Sequence, residues 1–214
     1  MTGQPTFDKP FQDRLQELFL WRRDVRHFKT DPLPKGTLNQ LLETATLAPS
    51  VGNSQPWRFV KVLDPVRRKA IRDNFEACNK DAMKDYEGER AQSYASLKLS
   101  GLDRAPAHIA VFCATETKVG QGLGQKTMPE TLKYSVVSSI QTLWLSARAQ
   151  GIGLGWVSII QPDEVKKILD IPHKDWDLVA YLCIGYPEEE HKVPELVRKG
   201  WQDRLPLSET VIER

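Results

Sequence analysis

No stretch narrows the folds open to this chain more than residues 131–150, TLKYSVVSSIQTLWLSARAQ. Val136, Val137, Ile140, Leu143, Trp144 and Ala147 recur there at helical spacing, and the opposite flank is also rather apolar. A helix apolar nearly all round must be covered on most sides, so it lies centrally or at a subunit interface. At 214 residues the chain is long for one compact domain and short for two, and a single domain over residues 1–214 is expected.

The remaining elements follow from periodicity and punctuation. Phe11, Leu15, Leu18 and Phe19 mark a first helix. Asp31-Pro32-Leu33-Pro34 forbids helix, and Thr37 with Gln40 reads as a capping box opening a second helix that stops at Pro49. Pro56 breaks the chain before a strand at 57–63, and Asp64-Pro65 caps a charged helix through Cys78. Residues 79–104 are polar and partly helical, either a lid or a decorated surface. A buried strand is expected at 107–114, a loop at 120–130, strands at 154–160 and 178–185, and a helix at 162–169. The polar tail PELVRKGWQDRLPLSETVIER carries two prolines and wraps the surface or a partner. Helices and strands mix without a βαβ rhythm, which points to an α+β fold with a mixed sheet flanked by helices.

Several function classes drop out. A net charge of +2 is too mild for nucleic acid, so any anion site must be local. No apolar run approaches the roughly 20 residues of a membrane span. The first residues lack the order of a signal peptide. Cys78, Cys113 and Cys183 are odd in number and widely spaced, which suits a reducing cytoplasm rather than a disulfide framework. His27, His108, His173 and His191 never fall at metal-ligand spacing, and no metal is expected. Gly151-Ile-Gly153-Leu-Gly155 misses the dinucleotide fingerprint and precedes a strand, not a helix. The loop from Gly120 to Thr127 resembles a phosphate loop, but Gln125 splits the required Gly-Lys pair. Ser158 lacks the flanking glycines of a nucleophile elbow.

One constellation remains. In RRDVRHF, residues 22–28, Asp24 sits among three arginines. Run extended, Arg22, Asp24 and Arg26 share one side, and four steps separate the arginines by roughly 13 Å. A phosphate joined through a polyol to a flat ring could lie along that span, with Asp24 facing the polyol. An ordinary intramolecular ion pair accounts for the same residues. The segment APSVGNSQPWRFV, residues 48–60, offers Ser50, Asn53, Ser54 and Gln55 as donors and acceptors for a polar heterocycle, or simply a turn that caps itself.

Arg22-Arg23-Asp24-Val25-Arg26, the 48–57 loop, the run from Gly153 to Ser158 and the terminal Arg204-Leu205-Pro206-Leu207 together resemble the FMN-binding nitroreductase family in order and spacing over nearly the whole chain. The resemblance implies a homodimer with FMN at the interface. It implies that Arg22 and Arg204 meet the phosphate, that Arg26 approaches the N1 and O2 edge of the ring, and that Ser50 and Asn53 touch ring or ribityl. Arg23, Val25, Pro49, Gly52 and Leu99 complete the expected contacts. Asp24 and Ser158 match a branch of the family in which reduced FMN is itself the substrate. There oxygen fragments it to 5,6-dimethylbenzimidazole, the lower ligand of vitamin B12, and erythrose 4-phosphate. By that resemblance Asp24 is the general base and Ser158 orients the ring, while a separate flavin reductase supplies reduced FMN. Asn53 is more typical of ordinary nitroreductases, which keeps an NAD(P)H-dependent nitro- or quinone reductase as the alternative. A flavin carrier without chemistry is a third reading.

Overall fold

The computed structural model describes residues 3–88 and 100–214. Its centre is set by a strand with no exposed residue, Ala107–Ala114. Among the described residues the strands are β1 (Trp57–Lys61), β2 (Ala107–Ala114), β3 (Gly153–Val157) and β4 (Trp176–Gly185), in the order β1-β2-β4-β3. Every neighbouring pair is antiparallel. The parallel component of the expected mixed sheet is confined to one isolated bridge, Asp24 with Leu154.

All eight residues of β2 are buried, so its side chains feed two cores by simple alternation. Ile109, Val111 and Cys113 enter one core; Ala110 and Phe112 enter the other. The described helices are α1 (Lys9–Trp21), α2 (Thr37–Ala45), α3 (Pro65–Ala82), α4 (Gly101–Arg104), α5 (Thr131–Ala149), α6 (Pro162–Ile168) and α7 (Glu195–Arg198). The first core is closed by Leu41 and Ala45 of α2 and by Leu132, Val136, Ile140, Leu143, Trp144 and Ala147 of α5. Each large aliphatic side chain fully buried there contributes about 1.5–3 kcal/mol. The second core holds Phe28, Ile71 of α3, Leu102 of α4, Val165 of α6, and Tyr181 and Cys183 of β4. Two serines of α5 are buried without cost because each is bonded. Ser139 Oγ donates to Ala45 O (2.8 Å), and Ser135 Oγ donates to Thr131 O (2.7 Å).

The sequence reading of α5 is right within one residue, yet Val137 belongs to the open flank with Tyr134, at 42% and 56% exposure. The capping box of α2 is not formed. Gly36, at φ +90°, is the N-cap, and Thr37 is already helical. Asp64 does cap α3, its side chain accepting from Val66 N (2.8 Å), and the helix continues past Cys78 to Ala82. β1 and β3 stop short of the expected ends because Val62 keeps only one ladder bond, to His108 O, and Ser158 turns out of the sheet. Much of the segment read as lid or surface, residues 89–99, lies outside the described residues. Among those described, no helix is long and apolar enough to cross a membrane.

His108 of β2 is 2% exposed, with Nδ1 3.0 Å from the Tyr181 hydroxyl. Burial first, and then the charge of Arg68, push its imidazole down to about 4 from the ordinary 6.5. The folded value lies below the unfolded one, so the stability of the neutral ring is complete above pH 6.5 and is lost as pH falls towards 4. The full loss is about 3 kcal/mol. Urea unfolding at pH 7 and pH 4.5 should show most of it, and His108→Gln should flatten the difference between the two midpoints.

Candidate functional site

The site is built where the chain leaves α1. Arg22 closes that helix with extended dihedrals (φ −67°, ψ 112°), its N–H still bonded to Leu18 O at 2.9 Å. The next residues run beside β3, with Val25 N donating to Leu154 O at 3.0 Å. The glycines of the failed fingerprint explain the approach. The Val25 carbonyl oxygen occupies the space a Cβ on Gly155 would need, and a Cβ on Gly153 would lie 2.7 Å from the Val25 side chain. The other side of the segment is tied down by Trp144, whose Nε1 donates to Arg23 O (3.1 Å).

This path aims Asp24 at the end of β3. One carboxylate oxygen accepts from Trp156 N–H at 2.9 Å; the other lies 3.6 Å from Arg26 Nε. Some 39% of the side-chain surface is open, but packed atoms crowd the carboxylate from the protein side. That desolvation raises the Asp24 pKa, against the opposing pull of the Trp156 amide and Arg26. The ion pair of the simpler reading is therefore present, and it leaves the carboxylate facing a cavity of about 200 Å³. Arg26 and Ser158 line the same cavity, with Phe75, Trp156, Leu196 and Trp201 as its apolar walls. A second opening of about 260 Å³, lined by Arg23, His27, Glu188 and Arg198, shares Asp24 and Arg26.

Arg22 does not join that side of the segment. Its guanidinium lies over the Trp144 ring, 5.1 Å from the centroid. Burial lowers its pKa, and the nearby charge of Arg204 lowers it further. Arg23 is depressed likewise, by burial and then by Arg22 and Arg204. Three like charges therefore crowd one place, and Arg23 Nε is buried without a hydrogen-bond partner. Such a cluster is unfavourable by itself and suits a phosphate-sized anion, which accepts several N–H bonds at once.

The expected loop residues stand apart. Val51–Asn53 forms a short 3-10 turn, Gln55 N donates to Ser50 Oγ (3.1 Å), and Val51 N to Ser135 Oγ (3.0 Å). Gly52 lets this turn press on a neighbouring loop, since a Cβ there would lie 2.6 Å from Leu123 O. Pro49, Ser50, Gly52 and Asn53 line neither cavity that holds Asp24. Part of the self-capping alternative is thus realised. Val25 serves as packing against Gly153, and Leu99 lies outside the described residues. Sequence reasoning missed Glu195, whose Oε2 lies 3.7 Å from Arg26 Nε, and the Trp156 amide that holds Asp24. A backbone N–H carries no residue signal, and Glu195 is one acid in a polar tail.

A family model described as Nitroreductase family matches residues 19–186. A 5,6-dimethylbenzimidazole synthase of Rhodospirillum rubrum is 57% identical over 206 residues, covering 96% of this chain and 97% of that protein. One of Rhodobacter capsulatus is 46% identical over 200 residues, covering 94% and 96%. Among solved structures, iodotyrosine deiodinase bound to FMN and 3-iodo-L-tyrosine has a TM-score of 0.69 at 26% identity, covering 83% of this chain and 91% of that one. A BluB-like flavoprotein from Clostridium difficile 630 has a TM-score of 0.68 at 21% identity, covering 94% and 98%, a likeness of fold.

The packing of Val25 on Gly155 is directly testable. Gly155→Ala should lower stability by roughly 2 kcal/mol or more, because backbone rather than a movable side chain fills the space. A urea midpoint equal to wild type would show that the segment is not seated this way.

Proposed function

The chain belongs to the nitroreductase family, and within it we propose oxygen-dependent fragmentation of reduced FMN to 5,6-dimethylbenzimidazole and erythrose 4-phosphate. The enzyme makes the lower ligand of vitamin B12, an activity named for two relatives that match nearly its full length. The observation that carries the mechanism is Asp24, a desolvated carboxylate held from behind by the Trp156 amide and open to a cavity it shares with Ser158 and Arg26.

The donor set fits FMN end by end. Arg22, Arg23 and Arg204 supply the excess positive charge a phosphate would neutralise. Phe75, Trp156 and Trp201 offer flat apolar walls, and Arg26 offers a cation for the electron-rich edge of the ring. Bound and reduced, FMN supplies the oxygen-reactive ring and the ribityl carbon that becomes C2 of the benzimidazole. The chain's own work is to move protons and exclude water. Asp24 takes a proton from the ribityl arm; its raised pKa makes it a stronger base than an exposed carboxylate. The Ser158 hydroxyl is exposed, has no hydrogen bond to another described residue, and is free to bond the ring.

A second copy of the chain completes the site. α1 has no buried residue although Phe11, Leu15, Leu18 and Phe19 lie along it. The open flank of α5 shows Tyr134 and Val137, and the tail shows Leu205, Leu207, Val211 and Ile212. These surfaces support a homodimer in which the 49–53 loop of one copy reaches flavin bound by the other, which accounts for its separation from Asp24 here. Reduced FMN comes from a separate flavin reductase. The alternative, an NAD(P)H-dependent reductase, would leave the flavin intact.

Four outcomes are expected. Aerobic incubation with chemically reduced FMN should consume flavin and release 5,6-dimethylbenzimidazole in equal amounts, read by chromatography with mass detection. Intact flavin with rapid NAD(P)H oxidation by nitroaromatics would favour the reductase instead. Asp24→Asn should keep FMN affinity and lose about 100-fold or more in product. Because Asp24 must be ionised and its pKa is raised, wild-type turnover should fall on the acid side above the ordinary carboxylate range. Sedimentation equilibrium should give twice the mass of the chain.

A further inference from the structure

Glu195 opens α7, in a tail whose sequence suggests only a polar wrap. Its Oε2 lies 3.7 Å from Arg26 Nε, and Asp24 Oδ2 lies 3.6 Å from the same nitrogen. The Arg26 and Glu195 side chains are only 18% and 17% exposed, so solvent screens this contact weakly. One carboxylate would neutralise Arg26. The second adds desolvation cost and repels Asp24, an arrangement that stability alone does not call for. The same turn carries two walls of the cavity, Leu196 and Trp201, joined by a bond from Trp201 N to Leu196 O (2.8 Å). Lys199 N closes the turn on Glu195 O at 2.8 Å.

We propose that Glu195 is a positioning residue for this reaction. Through Arg26 it seats residues 194–201 over the cavity, and it keeps the guanidinium shared between two carboxylates rather than closed onto Asp24. The inference rests on the reading of Asp24 as the base. Without Glu195, Arg26 would be drawn fully to Asp24 and would hold that carboxylate in a weakly basic form. The charged and polar groups bearing on Asp24 are Arg22 and Arg26 from its own segment, the Trp156 amide from β3, Cys183 of β4 and Glu195 of α7, and the opening that Asp24 borders also carries Arg23, His27, Glu188, Glu189, His191, Arg198 and Lys199. Among the described residues Glu195 is the carboxylate that shares Arg26 with Asp24, and burial favours the neutral form of Asp24 in the same direction as its charge does.

The deciding measurement needs no flavin. In ligand-free protein labelled at aspartate Cγ, the Asp24 resonance is assigned by its absence from Asp24→Asn and titrated by NMR. Glu195→Gln should move the Asp24 midpoint to lower pH. The acid limb of product formation should move with it, and the plateau rate should drop several-fold, with affinity for oxidised FMN retained. Tryptic cleavage after Arg198 or Lys199 should also quicken. Glu195→Asp, with the carboxylate drawn back by one methylene, should fall between the two and serves in place of the Gln variant if that does not fold. An unmoved midpoint overturns the inference, including the case where cleavage quickens or turnover drops, because a merely structural role predicts that result. Failure of the parent reading is distinct: it is undiminished product from Asp24→Asn.

Discussion

The Val25 carbonyl can reach β3 only because Gly155 has no side chain, and the chemistry of the molecule is positioned by that contact. With the segment seated there, Asp24 meets the Trp156 amide and Arg26 lands one pleat further on the same side. Arg22 is thrown the other way, onto Trp144 and near Arg204, while the Arg23 guanidinium donates back to Leu20 O and still borders the second opening. A run of alternating charges is thereby sorted into two neighbourhoods, one carrying surplus positive charge and one mixed. Had the segment stood off the sheet by a side chain's width, those residues would form a solvated ionic surface worth little.

The two neighbourhoods use burial in opposite ways. Around Arg22 and Arg23, burial and mutual repulsion weaken the hold on the proton and leave charge that Asp24 offsets only in part and an incoming anion would relieve further. Around Asp24, burial strengthens the hold on a proton, while an amide and a guanidinium keep the ionised form accessible. Under the proposed function, a ligand with a phosphate at one end and a reacting arm at the other would be met by binding energy and basicity in neighbouring but distinct places. Reaction does not have to compete with anchoring for the same groups.

Periodicity made much of the fold legible. Residues 131–150 read as a largely covered helix, the 107–114 run, apolar but for His108, read as a buried strand, and Asp64-Pro65 read as the opening of a helix, and each formed as read. Thr37 misled because a preceding glycine with left-handed dihedrals made the cap unnecessary. For the site, the residue types in 22–26 suggested a ligand with an anion and a polyol, since charge is a property of side chains, whereas the roles expected of Asp24 as base and of Ser158 came from the family resemblance. Two things could not be read. The Trp156 amide is invisible to residue identity, and Glu195 reaches Arg26 through a fold-back of the tail across a long sequence separation. Gly153 and Gly155 were seen as a motif, but only the packed segment reveals that their purpose is close approach.

α1 has 13 residues and buries none of them, and a helix of that length is marginal in water without packing. It also ends on Arg22, the first residue of the anion cluster. Under the proposed function, a single copy would hold Arg22 at the end of a helix that, among the described residues, only the end of α5 supports, whereas association would stiffen the helix and the anion cluster together. On that reading catalytic competence would rise with protein concentration, and the abundance of the polypeptide would itself control how much flavin is surrendered.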